Sequence, residues 1–174
     1  MTAQNLRLRF VFDDGGRSEA GFRGKADDCV VRAVTIASGL HYSEVYQAIA
    51  KGVGQERGSH GATARRGVHT NRKWFRDYMQ TLGFVWVPTM KIGQGCTTHL
   101  VHGELPMGRL VVSVSKHVTA VIDGVIRDTH DPSRESQVTE ADGRIRIAHR
   151  CVYGYWFLPS GSVVYGMGSK PVDA

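Results

Sequence analysis

Helical spacing fills the first half of this chain and strand alternation fills the second. Val30, Ala33, Val34 and Ala37 recur at the period of a helix running from Cys29 to Ser38, and Gly39 is its stop. Ser43 opens a second short helix with Val45, Tyr46 and Ile49 on one side. Thr70 to Leu82 forms a third, with Trp74, Phe75, Tyr78 and Leu82 turned to the core and Gly83 ending it. From Arg109 the period changes to two. Strands are expected over 110–114, 117–122, 125–130 and 151–158, with Asp123-Gly124 as a two-residue turn. Residues 137–147 are polar, with an Asp142-Gly143 turn. Segregated helices and strands predict an α+β fold.

At the N-terminus, residues 5–14 alternate as a strand, Asp13 to Gly16 is a turn, and Ser18 to Phe22 is expected to return as the second strand of a hairpin. The chain has 174 residues. One domain over 1–160 with a tail over 161–174 is the expected organisation. No window approaches the roughly 18 unbroken apolar residues of a membrane helix. The N-terminal alternation is not that of a signal peptide. The three cysteines are odd in number, widely spaced and without a CxxC pair. That pattern predicts reduced thiols and a cytoplasmic protein.

Asp27-Asp28-Cys29 stands at the start of the first helix, and either aspartate is placed to cap its free amides. A thiol is nucleophilic as thiolate, which a helix N-terminus and a neighbouring imidazolium both favour. With the turn at 123–124, Ile122 pairs with Val125 and Thr119 with Asp128. His117, Thr119 and Asp128 then share one face, and His117 and Asp128 are diagonal neighbours. A carboxylate on one ring nitrogen leaves the other for a thiol. His130, opposite His117, and Asp131 are alternative orienting groups.

The Asp28-Cys29 pair followed by Ala33 resembles the nucleophile helix of papain-like cysteine peptidases. Lys116 to Asp128 resembles their histidine hairpin. The likeness is nearest to bacterial double-glycine leader peptidases and NlpC-type cell-wall peptidases, and it extends to phage-encoded proteins. The resemblance implies a papain-like fold, with N-terminal helices packed on an antiparallel sheet. It implies a thiol hydrolase or acyltransferase acting on a peptide, isopeptide or related amide of a peptide or protein substrate. Cys29 is then the nucleophile, His117 the base and Asp128 the orienting group, with no cofactor. The papain-like pattern puts a glutamine about six residues before the cysteine to donate to the oxyanion. Arg23 occupies that position here and is the candidate donor beside the Cys29 backbone N–H.

Two other constellations compete. Cys96, His99 and His102 form C-x2-H-x2-H, a spacing that matches no common zinc module, so no metal is expected. Residues 57–76 contain Arg57, Arg65, Arg66, Arg72, Lys73 and Arg76 with no acidic residue. With a net charge of +6, this segment supports an alternative: a basic module binding nucleic acid or an acidic protein on an inactive scaffold. Tyr153, Tyr155 and Phe157 are expected on one core face of the last strand, with Cys151 as a packing residue.

Overall fold

A computed structural model describes residues 7–56, 62–162 and 164. The order is β1 (Arg9–Phe12), α1 (Cys29–Ser38), α2 (Tyr42–Gly54), α3 (Lys73–Thr81), β2 (Val85–Pro88), β3 (Arg109–Val114), β4 (His117–Ile122), β5 (Val125–Asp128), β6 (Glu135–Thr139), β7 (Ile145–His149) and β8 (Val152–Leu158). The fold is α+β. Six strands form one sheet in the order β1-β5-β4-β3-β8-β2, and β6 and β7 form a separate hairpin. Among the described residues no helix is long and apolar enough to cross a membrane. Most of the expected tail, and Arg57 of the basic segment, lie outside the described residues.

α1 is the central helix and packs chiefly on β4. Its valines Val30, Val31 and Val34 are buried, and eight of its ten residues are inaccessible. Each buried valine contributes about 1.5–3 kcal/mol relative to an exposed one. The side chains facing α1 from the sheet are Val111, Val118, Ala120 and Trp156, while Leu110, Val112, Val121 and Ile126 form a second core on the opposite face. Strand alternation therefore feeds two cores, because both faces of the central strands are covered. The C-terminus of α1 stops at Gly39, whose φ of 78° is a left-handed cap. There Arg109 Nε donates to the Ala37 carbonyl at 2.6 Å and Nη2 to Ile36 at 3.2 Å. A guanidinium on the last carbonyls suits the negative end of the helix.

Four expectations are corrected. Ser18 to Phe22 is not a strand. The Asp14 carboxylate accepts from the Gly16 and Ser18 amides at 2.9 and 3.0 Å, and these bonds wind the segment into turns. Without a hairpin partner, β1 pairs with β5 in parallel, so the sheet is mixed rather than antiparallel. The thiols are not all free: Cys96 and Cys151 form a disulfide across 55 residues. Spacing cannot reveal such a pair, since it depends on a loop being laid against β8. Disulfides persist mainly in oxidising compartments, so the cysteine count no longer supports a reducing one.

Finally, Tyr153 leaves the core face. Ser113 pairs with Gly154 but Val114 pairs with Val152, so Tyr153 is the extra residue of a bulge. A bulge re-aims its side chain.

Candidate active site

α1 presents Cys29 as its first residue, half-buried, in a cleft of about 880 Å³. His117, the first residue of β4, lines the same cleft. Asp128 is the last residue of β5 and is buried beside it. The β4–β5 register pairs Ile122 with Val125 and Ala120 with Arg127. One step further, that register brings His117 and Asp128 to the diagonal. His117 Nε2 and Asp128 Oδ2 are 2.7 Å apart. This leaves Nδ1 as the second ring nitrogen.

The electrostatics follow from these contacts. Burial alone would neutralise His117. The hydrogen bonds to Asp128 and Cys29, together with their charges, overcome it and raise the imidazole from 6.5 to about 9. Burial would likewise protonate Asp128. The hydrogen bond and charge of His117, with the Thr129 amide, hold the carboxyl below 3.8 instead. The Thr129 amide donates to Asp128 Oδ1 at 2.7 Å. At neutral pH the pair is an imidazolium and a carboxylate.

Asp28 does not cap α1 as expected; its side chain makes no capping bond. Instead it is fully buried and accepts from Arg32 and from the Tyr42 hydroxyl, with Arg17 Nε 3.1 Å from Oδ2. Burial first, then the Asp28 hydrogen bond and charge, push the Tyr42 phenol well above its ordinary value. The carboxylate adjoining Cys29 is thus balanced by two guanidiniums. The first amides of α1 have no intrahelical acceptor and no side-chain cap.

A second anchor was invisible in the sequence. Arg150 is buried, and its guanidinium donates to the Ser115 carbonyl and, at 3.4 Å, to the Pro132 carbonyl. It ties the turn before His117 to the segment after Asp128. Leu100 N donates to the Arg150 carbonyl at 2.8 Å, and the disulfide lies at the next residue.

The other expected residues fall as follows. Arg23 is exposed and does not line the cleft; its carbonyl accepts from Arg17 at 3.2 Å. Asp131 faces away, 3.1 Å from Arg7. The His130 ring lies 4.8 Å from that of His117, but Asp128 takes the hydrogen bond. Of the basic segment, Arg65 donates to the Lys25 carbonyl at 3.0 Å, Arg72 pairs with Glu56 at 3.6 Å and Lys73 with Asp77 at 2.5 Å. Arg76 lines the cleft, and Arg66 is exposed. Cys96 is spent in the disulfide, and His99 Nδ1 lies 3.1 Å from Glu104.

The cleft lining is also aromatic, with Trp86, Tyr153 and Trp156. Gly154 admits Trp86, since a Cβ there would lie 2.4 Å from the indole. Donor atoms of His117, Asp128 and His130 lie within 4.8 Å of one another, a geometry a metal ion can use. A protonated imidazole has no lone pair to give, so the His117–Asp128 proton and a metal are alternatives at these atoms. Comparison with protein-family models, curated proteins and solved structures finds no match.

Proposed function

We propose that this protein is a thiol-dependent hydrolase of papain-like architecture acting on a peptide, isopeptide or related amide bond. The observation that carries this is the joint placement of Cys29, at the uncapped start of α1, and His117 in one open cleft, with Asp128 buried against the imidazole. The thiolate attacks the amide carbonyl, forming a C–S bond and an oxyanion. The free amides of the first turn of α1, that of Cys29 first, face this charge. The side chain of Asn71 lines the cleft without a hydrogen-bond partner among the described residues, and replaces Arg23 as the second donor. His117 gives its proton to the leaving amine, and the C–N bond breaks to leave a thioester. His117 then takes a proton from water, whose hydroxide hydrolyses the thioester and releases the acid and the thiolate. An amine in place of water makes the same cycle an acyl transfer.

The test is a peptide-library digest read by mass spectrometry. Cleavage by the native protein, absent in Cys29→Ala and His117→Ala at unchanged fold, is expected. Identical digests from native protein and Cys29→Ala would overturn the proposal.

A further inference from the structure

We propose that the cleft selects a peptide with a carboxylate side chain beside the bond presented to Cys29, recognised by Lys116 and Arg76. This rests on the hydrolase reading and adds its substrate class. Both cations line the cleft and are exposed. Neither side chain makes a hydrogen bond or ion pair among the described residues. Their basic neighbours Arg32, Arg65, Arg72 and Lys73 are all engaged within the protein. Among the described residues Asp27 is the one carboxylate on the lining, so the two cations outnumber it.

Lys116 carries a second, independent signal. Its φ is 56°, in the left-handed region, and it immediately precedes His117. Glycine or asparagine takes that conformation with less strain. The Ser115 carbonyl just before it is held by buried Arg150, so the strained turn is fixed from below. A lysine kept at a glycine-type position points to a use for its ammonium. In the same lining, Trp86, Tyr153 and Trp156 offer apolar surface to a side-chain stem. Two cations and aromatic rings in one cleft fit a glutamate better than a phosphate backbone. A nucleic acid would need an extended cationic track, and Arg65, Arg72 and Lys73 are occupied.

The experiment is protection of Cys29 from iodoacetamide, with peptide mapping, by two blocked pentapeptides that differ only in a central Glu or Gln. It reads occupancy whether or not the thiol is activated. Half-protection at about tenfold lower concentration of the Glu peptide is expected, as one charge-assisted contact gives. Lys116→Gly and Arg76→Gln should each cut that preference to threefold or less, while Arg9→Gln, on the far edge strand, leaves it intact. Lys116→Gly should melt no lower than the native protein. Equal protection by both peptides, protection by neither, or a preference unmoved by both variants overturns the proposal. So does protection by oligo-dT without protection by the Glu peptide. The hydrolase reading fails separately, on the pH profile of alkylation without peptide.

Discussion

Removing the Asp28 carboxylate should unfold the start of α1 at large cost. The carboxylate holds three partners: Arg32, the Tyr42 hydroxyl, and Arg17 at 3.1 Å. The Arg17 and Arg32 side chains are only 13% and 10% exposed, so neither guanidinium recovers hydration when its partner is lost. Breaking a buried pair from one side costs about 3–5 kcal/mol. That is a fifth or more of the roughly 5–15 kcal/mol that holds a typical domain together. At about 2–4 °C per kcal/mol for a chain of this size, Asp28→Ala should melt about 10 °C lower. Urea unfolding followed by circular dichroism measures this in Asp28→Ala, Arg32→Ala and the double variant. A coupling energy above about 1.5 kcal/mol is expected for contacting charges in one network. A single-variant loss below about 1 kcal/mol, or additive losses, would refute the buried-network explanation of how an aspartate is tolerated beside Cys29.

Three further predictions follow from the contacts around the site. The raised His117 and lowered Asp128 values set opposite limits on stability: the His117 contribution is complete below 6.5 and lost as pH rises through about 9, and the Asp128 contribution is complete above 3.8 and lost as pH falls through its lower folded value. Urea unfolding against pH should show a native-minus-His117→Ala difference that falls in the alkaline limb; a flat difference contradicts the pair. Breaking the Cys96–Cys151 disulfide opens a 55-residue separation, and Cys96→Ser should lose about 4 kcal/mol by the loop-entropy relation; an unchanged urea midpoint under oxidising conditions would contradict it. Arg150→Ala removes two charge-assisted bonds to carbonyls and should cost about 3 kcal/mol. It should also shift the amide resonances of Lys116 and His117, and an unperturbed turn would deny Arg150 its positioning role.

What the sequence made readable was local. The strand period and the Asp123-Gly124 turn set the β4–β5 register, and parity then placed His117 and Asp128 on one face. The start of α1 at Cys29 came from apolar spacing and its end from Gly39. Contacts between distant segments carried no such period. Arg17 reaches Asp28 only because Asp13 and Asp14 wind the intervening chain into turns, and alternation alone made that stretch a strand. The parallel β1–β5 pairing, the disulfide and the Arg150 anchor each join segments far apart in the chain. Tyr153 departed from its parity because one bulge shifted the register. Asn71, on the cleft lining, had no signal beyond its residue type.

The central claim, an activated Cys29–His117 pair, is tested most directly by the pH dependence of iodoacetamide alkylation at Cys29. The native protein is compared with His117→Ala, and peptide mapping separates Cys29 from the disulfide cysteines. An activated pair labels rapidly well below pH 8, and the variant loses that reactivity. Slow labelling that rises only toward the ordinary thiol range near about 8.5, identical in both proteins, would contradict it.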